Sequence, residues 1–365
     1  MKVLFTTTVP SPYRVDFFNE LGKHCELTVL FEGKLAKFRD SSWKDFNIQN
    51  FKAVFLDDMS KFPYIGMGLK ARKHIKKNKY DHIVVTNFLT ITGMLIVKFL
   101  KRKGIEYYLE SDGGFAKNGK GFREKLKKYF ISGAKGYFST ADEHDKYYIS
   151  YGAEKDKLIR YPFSSIKDSD IVKKPVSQNE KQNLRKKLGM TEDKIILSVG
   201  RFTYDGGYGK GYDVVLNAAV NLDKNIGIYI VGGKPTDEFI SMKERLSLDN
   251  VHFINFIKKD ELEEYYLASD LFVLMTRGDV WGLVINEAMS YGLPVITTDK
   301  CIAGVEMIDD YRCIVSSGSV NQLTSAINQI LYDDQLCAKL SKDNLSKAKL
   351  YTIDSMVNKH IEILC

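Results

Sequence analysis

Thr276 to Pro294 reads Thr-Arg-Gly-Asp-Val-Trp-Gly-Leu-Val-Ile-Asn-Glu-Ala-Met-Ser-Tyr-Gly-Leu-Pro, and its reading decides the fold. An apolar run precedes it, Asp270 to Met275, and another follows, Val295 to Thr298. Such short apolar runs predict buried strands, and the segment between them predicts a loop closing at Gly282, then a helix ending at Tyr291-Gly292. A strand, a glycine-bearing loop and a helix N-terminus make an anion site. The N–H groups of the first turn lack partners, and the positive end of the helix dipole points the same way. Two carboxylates bracket the loop, Asp279 before it and Glu287 eight residues on. From inside the helix Glu287 can reach ligand hydroxyls while the N–H groups take a phosphate. Sugar hydroxyls beside a phosphate describe a nucleotide sugar. An isolated helix glutamate is by default solvated, but the spacing from Asp279 and Gly282 argues against that default here.

Asp279, Trp281, Gly282 and Glu287, followed by Ala288-Met289, Gly292 and Pro294-Val295, resemble the signature of the family 4 retaining glycosyltransferases. That pattern is usually written E-x-F-G-x-x-x-x-E and is followed by A-M-x-x-G-x-P-V. The first acid is Asp in place of Glu, and the aromatic is Trp in place of Phe. The resemblance implies a GT-B fold, α/β, with two doubly wound Rossmann-like domains facing across a cleft.

Length and composition agree with two globular domains. The chain has 365 residues, 44% hydrophobic and 27% charged, enough for two cores of ordinary size. Five cysteines are scattered without a C-x-x-C pair, which suggests reduced thiols in a cytosolic protein and no zinc site. The apolar start is too short for a signal peptide, and no run is long enough to span a bilayer. The charge is uneven: residues 1–165 carry 30 Lys and Arg against 18 Asp and Glu, and the remainder 24 against 28. A basic N-terminal half points to an anionic membrane surface, a phosphorylated acceptor or nucleic acid, unless it is only a solvated lysine-rich surface.

Along the chain, Lys2–Thr7, a helix from Tyr13 and Glu26–Phe31 form a β-α-β opening, which predicts a parallel sheet with its ligand crevice at the carboxyl ends of the strands. Residues 33–60 read as loop, with Trp43 and Phe46 covering an edge. The family usually has a glycine-rich loop after its first strand. Pro10-Ser11-Pro12-Tyr13-Arg14 stands there instead, so the resemblance makes Tyr13 and Arg14 acceptor-side candidates. The strand at 105–109 ends in Glu110-Ser111-Asp112-Gly113-Gly114. Many family members hold a histidine at this strand end; here Glu110 and Asp112 occupy the region. Either carboxylate could act as general base or hold a sugar hydroxyl, or could instead shape the turn. Lys117–Ile131 interleaves basic residues with Phe122, Leu126, Tyr129, Phe130 and Ile131, a pattern that suits anionic lipid as well as an ordinary sheet-covering helix. The polar stretch 166–181 reads as a linker between an acceptor-side domain, 1–165, and a donor domain, 182–351. In this fold class the final helix, within 352–365, often crosses back onto the first domain.

A second phosphate element follows the strand at 195–199: Gly200-Arg201, then Asp205-Gly-Gly-Tyr-Gly-Lys210-Gly211. By resemblance Arg201 and Lys210 grip the donor diphosphate, which suits a planar fork and a point charge beside permissive backbone. The loop is longer than usual, so Lys210 is expected to dock only with ligand bound. Asp279 is expected to hold the transferred sugar, Glu287 the ribose, N–H groups near Gly282 and Leu283 the phosphate, and the loop at Ile257 the base. No cofactor or metal is expected, because the one Asp-x-Asp, Asp168 to Asp170, lies in the linker. The expected partners are a nucleoside-diphosphate sugar, UDP-linked, and a lipid-linked saccharide acceptor. Through its basic half the protein would work at the inner face of a bacterial membrane in surface-polysaccharide synthesis. No nucleic-acid platform or recognition motif appears. The rival readings are a nucleotide-sugar epimerase of the same fold and a non-catalytic binding protein.

Overall fold

The computed structural model describes residues 1–34, 47–57, 61–116, 119, 121–203 and 208–365. Trp43, Phe46 and the Asp205–Gly207 part of the glycine stretch lie outside them. The chain divides into two compact units: Met1–Ser165 with Thr352–Cys365, and Ile166–Tyr351.

The first unit runs β1 (Lys2–Thr7), α1 (Pro12–Leu21), β2 (Glu26–Phe31), β3 (Lys52–Phe55), α2 (Pro63–Lys77), β4 (His82–Val85), α3 (Ile91–Lys103), β5 (Tyr108–Glu110), α4 (Phe122–Ile131), β6 (Gly136–Ser139), α5 (Asp142–Ser150) and β7 (Leu158–Arg160). Its sheet has the order β3-β2-β1-β4-β5-β6-β7, with every pair parallel. Parallel strands are covered on both faces and so read as continuous apolar runs. Five of the six residues of β1 are buried, as are all four of β6. The strand order reverses direction beside β1, and a crevice at the carboxyl ends of β1 and β4 is the usual ligand position in such sheets.

The second unit runs α6 (Gln178–Leu188), β8 (Lys194–Val199), α7 (Tyr212–Ala219), β9 (Ile226–Val231), α8 (Asp237–Arg245), β10 (Val251–Ile254), α9 (Lys259–Ala268), β11 (Leu271–Leu274), α10 (Leu283–Ser290), β12 (Val295–Thr298), α11 (Ile302–Met307), β13 (Ile314–Val315), α12 (Val320–Leu331) and α13 (Asp334–Ala348). Its order, β10-β9-β8-β11-β12-β13, repeats the same doubly wound plan. The last helix, α14 (Ile353–Leu364), belongs to the first unit and packs on α1.

One helix start needs correction, and one open alternative is decided. Helix α6 starts at Gln178, not Gln182, because Ser177 and Glu180 form a capping box that satisfies two end N–H groups reciprocally. Helix α4 is not a free amphipathic face. Phe130 and Ile131 are buried and Leu126 packs against the core, leaving only Phe122 and Tyr129 of its apolar residues exposed. Inside the second unit, buried Asp270, just before β11, makes three contacts to two other elements: Arg185 at 2.6 Å and Lys181 at 3.0 Å, both of α6, and the Ile195 N–H of β8 at 2.9 Å. A buried carboxylate survives only with such partners.

Candidate functional site

In the second unit, β11 leads through buried Met275 and Thr276 into the loop that ends at Gly282. Gly282 sits at φ +100°, a left-handed conformation, and a Cβ there would meet Cys301 Sγ at 2.6 Å. Only glycine starts α10 from this position. Trp281 is buried, and its Nε1–H donates to Asn286 Oδ1 at 2.7 Å, so the aromatic of the motif ties the loop to the helix it precedes. No side chain caps the first turn of α10, which leaves N–H groups of that turn directed out of the helix end.

The glycine-rich loop docks on this one. Arg277 N–H donates to Gly209 O at 2.8 Å, Thr276 Oγ1 to the same oxygen at 3.2 Å, and Arg277 Nη1 to Tyr208 O at 2.6 Å. Arg277 also forms a two-pronged pair with Asp213 of α7, 2.7 Å on each side. Gly211, at φ +70°, would clash through a Cβ with Met275 O at 1.9 Å, so the two loops touch backbone to backbone. Lys210 Nζ lies 2.5 Å from Asp279 Oδ2. In this structure Asp279 engages Lys210. Arg201 follows β8 and is exposed, and Ile257 lies half-buried in the loop after β10. Glu287 is half-buried and accepts a 2.9 Å hydrogen bond from Tyr266 OH. Burial first, and then Glu287 itself, push the Tyr266 phenol well up, so it remains a donor. Sequence reasoning missed Tyr266, which follows Asp260, Glu261, Glu263 and Glu264 in α9 and carries no local signal.

The first unit brings Tyr13, Arg14, Glu110 and Asp112 together, but not as expected. Arg14 is buried, with Nη1 on Glu110 and Nη2 on Asp112 Oδ1 at 2.6 Å. Two carboxylates nearly a hundred residues away claim its guanidinium. Glu110, the last residue of β5, is fully buried. Burial by itself raises its carboxyl; Arg14 and then His360 outweigh that and bring it down to about 2. Asp112 is the accessible member, its side chain 38% exposed, with Tyr13 OH donating to Oδ2 at 3.0 Å.

Two histidines missed in the sequence flank this strand end. Thr140 N–H donates to His144 Nδ1 at 3.2 Å, so the ring proton sits on Nε2 and is donated to Ser111 Oγ at 2.9 Å. Burial, then Arg160, lowers His144 to about 3 and keeps it neutral. His360 of α14 approaches Glu110 Oε2 at 3.3 Å. Asp170 of the linker pairs with Lys259 at 2.9 Å. Among the described residues, no group of three His, Cys, Asp or Glu side chains is arranged to hold a metal ion.

Residues 180–346 match the family described as glycosyl transferases group 1. The second unit is a group 1 glycosyl transferase domain. The chain is 31% identical over 137 residues to mannosylfructose-phosphate synthase of Agrobacterium fabrum, covering 34% of this chain and 29% of that one. It is 27% identical over 215 residues to the O-antigen biosynthesis glycosyltransferase WclY of Escherichia coli, covering 57% and 56%. The chain thus spans between about a third and just over half of these relatives. The crystal structure of Anabaena HepE in complex with UDP and glucose matches at a TM-score of 0.79 and 15% identity, covering 100% of this chain and 99% of that one. At that identity the likeness concerns the fold, and the fold is GT-B.

Replacing Gly282 by Ala is expected to destabilise the protein by about 1–3 kcal/mol, from the left-handed backbone and the crowding of Cys301 together. Urea unfolding checks this, and adding Cys301→Ala should recover the steric share only. A Gly282→Ala variant as stable as the parent would contradict the geometry.

Proposed function

We propose that this protein is a retaining, metal-independent glycosyltransferase that moves a sugar from a UDP-sugar to a lipid-linked saccharide acceptor in bacterial surface-polysaccharide synthesis. The observation that carries the reading is the interlocked pair of loops at the start of α10, where Lys210 meets Asp279 beside Gly282. In the reaction the bond between the sugar C1 and the diphosphate breaks, and one forms from C1 to an acceptor hydroxyl whose proton is lost. The departing diphosphate gains charge as this happens. Lys210, Arg201 and the first N–H groups of α10, those of Leu283 and Val284, would stabilise that charge from fixed positions, a role a metal ion plays elsewhere. Docking of a diphosphate would draw Lys210 from Asp279 and free that carboxylate for sugar hydroxyls. Glu287, held by Tyr266, would take the ribose, and the backbone at Ile257 the base.

Support for the membrane-side part of the reading comes from the surface of the first unit. Helices α2 and α3 contain no acidic residue, and their basic residues include Lys70, Lys73, Lys76 and Lys98. Around their N-terminal ends Phe62, Tyr64, Ile65, Leu69, Leu89 and Ile91 are exposed, and Thr92 Oγ1 donates to Tyr64 O at 3.2 Å across the two helices. Cations beside exposed apolar side chains match an anionic lipid surface. Among the described residues no helix is long and apolar enough to cross a membrane.

Transfer from a panel of UDP- and GDP-sugars to lipid-diphosphate acceptors, followed by NMR of the new anomeric centre, tests the reaction. The donor's anomeric configuration should be kept, and activity should survive chelation. Lys210→Ala should lower kcat by about 10²–10³-fold, the usual cost of one lost donor to developing charge; Glu287→Ala should mainly raise the donor KM. Inversion of the anomer, or activity lost in chelator and restored by Mg²⁺ or Mn²⁺, would contradict the mechanism. Conversion of the nucleotide sugar without any acceptor would favour the epimerase reading. For the surface, co-sedimentation should be seen with vesicles rich in anionic lipid and weaken in Tyr64→Ser/Leu69→Ser. Equal binding to neutral vesicles would count against the charge argument.

A further inference from the structure

The buried array in the first unit has one exposed end and one hidden end. Asp112 is the exposed end, with both carboxylate oxygens engaged, Oδ1 by Arg14 and Oδ2 by Tyr13. Behind it stand Arg14, then Glu110, then His360, all buried. His360 comes from α14, the last element of the chain and 250 residues from Glu110.

We infer that His360 is a positioning residue that fixes the orientation of Asp112 through Glu110 and Arg14. The reason lies in how many partners each oxygen needs. A fully buried carboxylate must have both oxygens satisfied. Glu110 Oε1 takes Arg14 Nη1, with Tyr161 OH at 3.3 Å, while Oε2 has His360 Nε2 at 3.3 Å. The other ring nitrogen, Nδ1, lies 2.8 Å from the carbonyl oxygen of Met356, which can only accept, so the ring donates on both sides as the imidazolium and is fixed in rotation. The ring also lies flat on Phe138, with centroids 4.3 Å apart and planes 6° apart, and meets Phe17 edge-on.

Without a donor at position 360, Oε2 of Glu110 would be left bare in the interior. The nearest relief is Arg14, whose fork offers two parallel donors to one carboxylate. Glu110 would turn and take both amino groups, and Nη2 would leave Asp112. Tyr13 alone would then hold Asp112, and a single hydrogen bond does not fix a carboxylate's rotation. His360 thus keeps Glu110 from taking the whole of Arg14, and the remaining half of the guanidinium orients the one accessible carboxylate. For Asp112 to hold or deprotonate an acceptor hydroxyl in one geometry, this arrangement must be in place before the acceptor arrives.

What Asp112 is positioned to do rests on the transferase reading; the coupling itself does not. The test is a double-mutant cycle in the full-length protein, measured by equilibrium unfolding of the parent, His360→Phe, Asp112→Asn and the double variant. Phenylalanine keeps the stack on Phe138 and removes only the donors. His360 and Asp112 are joined through two intervening residues, so independent action would leave their effects additive. The expected result is non-additivity of about threefold or more in the unfolding constant, beyond the usual scatter of independent sites. In transfer assays His360→Phe should lower kcat about tenfold with the donor KM unchanged, and His360→Gln, which keeps an amide donor for Glu110, should recover most of it. Additive effects in the cycle, or an unchanged kcat in His360→Phe, overturn the inference. If His360→Phe does not fold, the same cycle with His360→Leu, which also removes the donor, decides: non-additivity supports the chain, additivity overturns it. A parent protein that transfers no sugar contradicts the proposed function, and the cycle still decides the coupling.

Discussion

The first turn of α10 begins at a backbone conformation that excludes every side chain, and much of the second unit is arranged around that constraint. Gly282 has Cys301 Sγ where a Cβ would stand. Cys301 in turn donates to Trp281 O at 3.2 Å, and Asp279 pairs along the backbone with Cys301. The loop therefore has one path from β11 to α10, and the glycine-rich loop has one surface on which to dock. A helix end without a side-chain cap is ordinarily a cost, because its N–H groups go unpaired. Here it lies beside Lys210 and Asp279, an opposite-charge pair that a bound diphosphate could reorganise.

The two units solve the problem of buried charge in different ways. In the second, Asp270 is surrounded by two cations and a backbone N–H and fixes the seam between α6, β8 and β11. In the first, Arg14, Glu110, Asp112 and His360 form a string that runs from the interior to solvent. Breaking a buried pair by removing one partner commonly costs about 3–5 kcal/mol, because it strands the other charge. A string of such pairs is stiff for that reason.

The C-terminal motif was legible because its residues are close in sequence and each has a local physical reason. Asp279, Gly282 and Glu287 fall within nine positions, and a helix between two strands fixes their spacing. The doubly wound sheets were legible from apolar runs alternating with helical periods. The array in the first unit was not. Arg14 reads locally as a first-turn surface residue; its burial follows from Glu110 and Asp112, which only the strand order brings beside it. His360 carries no local signal at all, since it acts from a helix that returns to the first unit. The apolar residues of α4 left two readings open, a lipid face or a sheet-covering helix; the sheet covers most of them, and an exposed apolar cluster lies around the starts of α2 and α3.

The most direct test of the central claim is a crystal structure of the protein with UDP bound. The account predicts the diphosphate against the first turn of α10, contacted by Lys210 and Arg201, with the Lys210–Asp279 pair opened and the ribose hydroxyls on Glu287. UDP bound elsewhere, or bound with Glu287 and Lys210 untouched, would contradict it.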